Sequence, residues 1–312
     1  MKHALIISDK KPGHLNQSIA IAKIMNWEYT IIDVKFKNKF YQLISYIFDF
    51  INISVNFLFS NSNNINNCDI VISTGSTTYY ANKYFAKKFN VKNIAVLLPR
   101  IYRLNFNHII CPKYDFPPQK DCITEIPANI CYSKLKWNSE EMNRFSKSFE
   151  INNKKSVGII IGGNSSKSKI YPENIKKQIN DIFTLTPNHE HWITTSRRTP
   201  SNIEQVIKEY KFEYKLLYSE NKNVNPVPAF IQLCDHIFVT ADSSSMISEV
   251  ISSGSAKITI IPVNNKKILN KFNFFIKNIV DNGCASILSS SLNTNNKKIN
   301  SEIIIKNLLK DL

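Results

Sequence analysis

The chain has 312 residues, 43% hydrophobic and 21% charged, with a formal net charge of +16. This balance excludes a disordered or fibrous chain, and the length suits two domains of ordinary size. The basic excess is mostly lysine scattered among Asn and Ile, with no Lys/Arg block, helix-turn-helix pattern or RNA-recognition signature, so no nucleic-acid partner is expected.

Residues 3–8 (HALIIS) predict a strand at once, without the pattern of a secretory leader. It runs into "SDKKPGHLNQS", where Pro12 and Gly13 make a turn and His14, Asn16 and Gln17 open a helix. A second strand is expected at 29–34. Residues 41–60, YQLISYIFDFINISVNFLFS, follow Lys35, Lys37 and Lys39 and are interrupted by Asp49, Asn52 and Asn56, which argues against a membrane span. Two readings stand: turns of buried helix, or a partly exposed aromatic helix that docks on a bilayer surface. Further strands are expected at 69–74, ending "STGSTT" with Gly75; at 93–98, ending "LLPR" with Arg100; and at 108–111. Four prolines (Pro112, Pro117, Pro118, Pro127) and a polar stretch then mark a boundary near 135–155. The six cysteines, Cys68, Cys111, Cys122, Cys131, Cys234 and Cys284, show no C-x-x-C spacing and no histidine at finger spacing. They read as thiols of a reducing, cytoplasmic compartment with no zinc site.

Alternation resumes with strands expected at 156–161, 191–196, 214–219, 236–240, 257–262 and 284–288, and ends on an amphipathic helix. Short apolar runs alternating with helices predict parallel sheets covered on both faces. Two such series predict an α/β protein of two Rossmann-like domains, 1–145 and 146–312.

In open α/β sheets ligands gather at the carboxyl ends of strands, and helix N-termini there attract anions. "IGGNSSKSK" places Gly162, Gly163 and Asn164 as an anion nest, without the ending of a Walker loop. "TTSRRTP" places Ser196, Arg197 and Arg198 at a strand end, where paired guanidiniums suit phosphate oxygens, with Thr199 expected to cap a helix begun by Pro200. "TADSSSMISEVISSG" reads as a strand-to-helix turn in which Asp242, Ser243, Ser244 and Ser245 form the helix mouth. Met246, Ile247, Val250 and Ile251 should form its buried face, Glu249 falls off that stripe about two turns in, and Gly254 ends the helix.

Taken in order, "DKKPGHLNQS", "LLPR", "IGGNSS", "TSRRTP", "NPVPAFIQLCDHIFVTADSSSMISE" and Gly254 resemble the mitochondrial fission ("elongated mitochondria") family over most of the chain. Its bacterial members are described as glycosyltransferases of the GT-B fold. The resemblance implies a GT-B-like pair of Rossmann-like domains facing a central cleft. It implies a sugar transferred from a nucleotide-sugar to a glycan or glycolipid, lipopolysaccharide-type acceptor, with no metal and no cofactor beyond that substrate. The donor would lie on Gly162, Gly163, Asn164, Ser196, Arg197, Arg198, Asp242, Ser243, Ser244 and Ser245, with Glu249 at the ribose. His14 or Asp9 would be the base, and Gly13, Asn16, Gln17, Gly75 and Arg100 would line the acceptor side. A glycolipid acceptor suits peripheral contact with the inner face of the cytoplasmic membrane through residues 35–60. At "CPKYD" the chain departs from the family, with Tyr114 where a histidine would precede Asp115. Two other readings share the fold: a non-catalytic membrane-associated adaptor, and a nucleotide-sugar epimerase using Asp9, Asp115 and Asp242.

Overall fold

His3–Ser8 (β1) is apolar at every interior position, so both of its faces must be covered. Leu5 and Ile7 enter one core, and Ala4 and Ile6 enter another on the opposite face. The structure, a computed structural model, describes residues 1–62, 65–132, 145, 149, 154–165, 168–265, 271–292 and 296–310. The chain divides into two compact units, Met1–Tyr132 with Asn300–Leu312, and Ser133–Ile299.

In the first unit β1 is followed by α1 (Pro12–Ile24), β2 (Glu28–Phe36), α2 (Lys39–Phe50), β3 (Phe59–Asn61), β4 (Ile70–Thr74), α3 (Tyr79–Phe89), β5 (Lys92–Val96), β6 (His108–Pro112), a 3-10 turn (Lys113–Asp115) and β7 (Ile123–Ile126). The sheet order is β3-β2-β1-β4-β5-β6-β7. Every pairing is parallel except that of β2 with β3. α2 and α3 cover one face and α1 the other. Each fully buried Ile or Leu in these layers contributes roughly 1.5–3 kcal/mol of transfer free energy. Pro12 is accepted in the first turn of α1, where its missing N–H would have no helical partner. Asn38 caps α2, its side chain accepting from the Phe40 and Tyr41 amides.

The second unit holds β8 (Ser156–Ile161), β9 (Ser168–Lys169), α4 (Pro172–Leu185), β10 (Glu190–Thr195), α5 (Ser201–Lys208), β11 (Tyr214–Leu216), α6 (Val227–Leu233), β12 (His236–Thr240), α7 (Ser244–Ser252), β13 (Lys257–Ile261), β14 (Asn264–Asn265), α8 (Lys271–Asp281) and β15 (Ser286–Ile287). Its six-stranded sheet is parallel throughout, in the order β11-β10-β8-β12-β13-β15. A small antiparallel ribbon pairs β9 with β14. On one face Ile175, Ile179 and Ile182 of α4 and Ile203 and Ile207 of α5 pack on Val157, Ile159 and Ile161. On the other, Phe230 of α6 lies against Gly158, with its ring 5.8 Å from that of Trp192.

The last helix, α9 (Ser301–Leu309), joins the first unit, where Ile305 and Leu309 are fully buried in the layer formed with α1. The sequence pattern assigns it to 146–312, because an amphipathic stripe shows that a face is buried and not which sheet buries it. The linker expected at 135–155 falls mostly outside the described residues.

Both sheets reverse their direction of growth once. From β1 the chain builds outward through β2 and β3, then crosses to β4 on the other side. From β8 it builds through β10 and β11, then crosses to β12. Such reversals open a crevice at the strand carboxyl ends.

Candidate functional site

At the first reversal Asp9 follows β1 and Thr77 follows β4. The Asp9 side chain is only 5% exposed. It accepts from the Lys11 amide at 3.2 Å, Lys11 Nζ at 2.8 Å, Thr77 Oγ1 at 2.8 Å and His14 Nδ1 at 3.0 Å. Burial alone would raise its pKa, but the hydrogen bonds from His14, Lys11 and Thr77 outweigh burial and hold the carboxyl well below the usual range. Asp9 therefore stays ionised, fixes the proton of His14 on Nδ1 and leaves Nε2 as an acceptor. That nitrogen has no partner among the described residues. Gly75 seats the ring. Its φ is +94°, and a Cβ there would stand 2.5 Å from His14 Cε1 and Nδ1.

The other residues expected on the acceptor side divide. Asn16 is exposed and Gly13 lies in the first turn of α1. Gln17 is buried, and its amide donates to the Gly13 carbonyl at 3.0 Å, so it packs α1 and is not presented to a ligand. Arg100 is tied to the 3-10 turn, donating to the Asp115 carbonyl at 2.8 Å. Tyr114 is buried and donates to Asn129 Oδ1 at 2.6 Å, so the position where the resemblance leads one to expect histidine is a packing position here.

At the second reversal the anion nest expected at Gly162, Gly163 and Asn164 is not available. The Gly162 amide donates to Thr240 Oγ1 at 2.7 Å, the Gly163 amide to Asp242 Oδ2 at 3.0 Å, and the Asn164 amide to the Arg198 carbonyl at 3.1 Å. The glycines are needed for close approach instead. A Cβ on Gly162 would collide with the Asp242 carboxylate, and one on Gly163 with the Arg198 carbonyl. Asp242 is fully buried at its side chain and also accepts from Thr240 Oγ1 at 2.7 Å and Arg198 Nη2 at 2.9 Å. Burial pushes its pKa up, opposed by these bonds. Asp242 and Arg198 thus hold together the ends of β8, β10 and β12.

Ser196 completes the same turn, its amide donating to Thr199 Oγ1 at 2.8 Å. Thr199 is not the cap of α5. Pro200 holds that place, and the Thr199 hydroxyl donates to the Gly162 carbonyl. Arg197 is exposed and has no hydrogen bond or ion pair among the described residues. α7 begins directly after β12, with Ser243 as its cap accepting from the Met246 amide and Ser244 and Ser245 in its first turn. This end carries the positive pole of the helix. Ile247, Val250 and Ile251 are buried as expected, whereas Met246 is half-buried and Ser248 takes a place in the buried face. Glu249 is half-buried, and desolvation pushes its carboxyl up to about 7. No hydrogen bond or ion pair offsets that cost among the described residues. Nor, among them, do three His, Cys, Asp or Glu converge as metal ligands.

Lys11 and Thr77 are the partners of Asp9 that sequence reasoning misses. Thr77 sits 68 positions from Asp9, and only the adjacency of β1 and β4 brings the two together.

The family described as Mitochondrial fission ELM1 matches residues 12–304. The uncharacterized protein RP120 of Rickettsia prowazekii (strain Madrid E) is 25% identical over 327 residues, covering 92% of this chain and 90% of that protein. Among solved structures, E. coli ADP-heptose lps heptosyltransferase II aligns with a TM-score of 0.50 at 8% identity, over 99% of this chain and 97% of that one. UDP-GlcNAc 2-epimerase from Neisseria meningitidis, bound to UDP-GlcNAc, aligns with a TM-score of 0.50 at 12% identity over 100% of both chains. Likeness at such identity establishes the fold, a GT-B-like α/β architecture of two Rossmann-like parallel sheets. With the family match running from the first turn of α1 into α9, the chain belongs to the Mitochondrial fission ELM1 family.

Proposed function

We propose that the protein is a glycosyltransferase, taking a nucleotide-sugar on its second unit and a glycan or glycolipid hydroxyl on its first. The observation that carries this reading is the Asp9–His14 pair, an imidazole oriented by a buried carboxylate with its other nitrogen unpaired among the described residues. His14 Nε2 takes the proton of the acceptor hydroxyl as that oxygen bonds to the anomeric carbon. The bond from that carbon to the phosphate oxygen breaks, and the nucleotide leaves with the electron pair. A positioned base of this kind contributes about 10²–10⁴-fold. The charge developing on the phosphate is met by Arg197 and by the N-terminus of α7. Glu249 accepts from the ribose hydroxyls. The fold shared with enzymes whose solved structures are described with UDP-GlcNAc or ADP-heptose supports a sugar nucleotide as the donor class.

The test is a screen of UDP-, GDP-, CMP-, ADP- and dTDP-sugars by thermal shift, then by turnover with extracted glycolipids. A ligand at a hundredfold excess over its Kd adds about 2.7 kcal/mol to stability. His14→Ala should bind donor and fail to transfer it. Conversion of the donor to an isomer without acceptor would show an epimerase, and no binding of any sugar nucleotide would show an adaptor.

A further inference from the structure

α2 carries large apolar side chains on its outward face as well as on its inward one. The inward face packs Tyr41, Ile44 and Phe48 against the core. On that side Ser45 bonds Tyr102 Oη at 2.9 Å, and Asp49 takes Lys83 Nζ at 2.6 Å and the Arg103 amide at 2.7 Å. The other face presents Phe40, Leu43, Ile47 and Phe50 at 65%, 56%, 57% and 76% exposure. At about 100° per residue these four fall within an arc of roughly 80°, a single stripe along the helix. Ile51, Ile53 and Phe57 continue the exposed surface past its end, and the Phe57 ring stands 6.3 Å from that of Phe48.

Large apolar side chains gathered in one exposed stripe mark a surface built to be covered. The surrounding charge says by what. Lys35, Lys37 and Lys39 are exposed on the approach to α2, and Arg103 is exposed at its far end, donating to the Phe50 carbonyl. The single acid within α2, Asp49, is buried and paired. The stripe is therefore framed by cations at both ends with no exposed carboxylate on the helix. A second copy of the chain would bring the same lysines and its own +16 to the contact. An anionic lipid surface supplies phosphates for the cations and acyl chains for the stripe.

We propose that this face docks flat on an anionic bilayer, with Phe40, Leu43, Ile47 and Phe50 sinking to the headgroup boundary. The contact is peripheral, since no helix among the described residues is long and apolar enough to cross a membrane. It is independent of the transfer chemistry, because none of these residues belongs to the Asp9–His14 or Asp242–Arg198 clusters.

Co-sedimentation with phosphatidylcholine vesicles, with and without phosphatidylglycerol, tests it. The protein should pellet with the phosphatidylglycerol vesicles and be released by salt. Ile47→Ser with Phe50→Ser should weaken partition by about tenfold or more at an unchanged melting temperature. Lys35→Gln, Lys37→Gln and Lys39→Gln together should abolish the preference for phosphatidylglycerol. Ile47→Trp provides a readout in an otherwise native surface, with blue-shifted emission quenched by brominated lipid. The proposal is overturned if the wild type stays in the supernatant with both vesicles. It is also overturned if ultracentrifugation finds a dimer that the double serine variant splits. Neither result would touch the sugar-nucleotide reading.

Discussion

Arg198 donates to the buried carboxylate of Asp242 across 2.9 Å, while Arg197 beside it has no partner among the described residues. Two adjacent guanidiniums at one strand end therefore do different work. Arg198→Ala would leave a buried carboxylate without its cation. Because Arg198 is itself 38% exposed, water screens part of that loss, and the expected cost is about 1–3 kcal/mol of stability. Arg197→Ala should leave stability within about 0.5 kcal/mol and weaken sugar-nucleotide binding by roughly 1.5–3 kcal/mol. Denaturant titration and calorimetry read the two separately, and equal donor affinity in wild type and Arg197→Ala would remove the phosphate role.

The Asp9–His14 pair predicts a tautomer effect. Asp9→Asn keeps the shape but can donate to Nδ1, moving the ring proton to Nε2 where the base is needed. The transfer rate should fall about 10²–10⁴-fold with KM little changed. Gly75→Ala should lower the rate too, since the new methyl would occupy the imidazole's place. Full turnover by Asp9→Asn would show that His14 is not the base.

Glu249 predicts a pH dependence. Its carboxyl titrates near 7 in the folded chain against 4.5 as its ordinary value. Between those values the folded state holds a proton that the unfolded chain has released. Wild type should thus lose stability relative to Glu249→Gln as pH rises from about 4.5 to 7, with a loss of at most about 3 kcal/mol that then stays constant. Ribose hydroxyls favour the ionised form, so sugar-nucleotide binding near neutral pH should release protons. Calorimetry in buffers of different ionisation enthalpy measures that release. The same release from Glu249→Gln would mean that the residue does not meet the ribose.

Gly163 predicts a steric effect. Its missing Cβ makes room for the Arg198 carbonyl, a backbone atom that cannot swing aside. Gly163→Ala should cost about 1–3 kcal/mol in thermal or chemical unfolding. A neutral result would mean that the turn between β8 and β9 relaxes freely.

The central strands were legible because a strand buried on both faces is apolar throughout, as in residues 3–8, 156–161 and 236–240. β3, β7 and the β9–β14 ribbon were not. Phe59–Asn61 and Ile123–Ile126 lie at sheet edges with exposed positions, and the ribbon strands have two residues each. His14 and Asp9 could be found because they share one strand-to-helix turn. Thr77 could not, because the order of strands is not written in any single segment. The Gly162–Gly163 pair reads as an anion nest, because close approach by a ligand and close approach by Asp242 and Arg198 look alike in a sequence. At residues 41–60 the structure shows a helix with a buried face and an exposed aromatic one, and the bilayer contact stands as the proposal above.

The docking of α9 against α1 makes the first unit discontinuous in the chain. Ile305 and Leu309 complete a layer that also contains Ala4, Ile6 and Ile21, so β1 and α1 wait for a helix about 300 positions further along the chain. Nascent domains ordinarily close in the order they emerge. Here the contiguous unit, Ser133–Ile299, can close while its predecessor still exposes an oily flank. The first unit thus closes only when Ser301–Leu309 is present, a long-range requirement that the contiguous unit does not share.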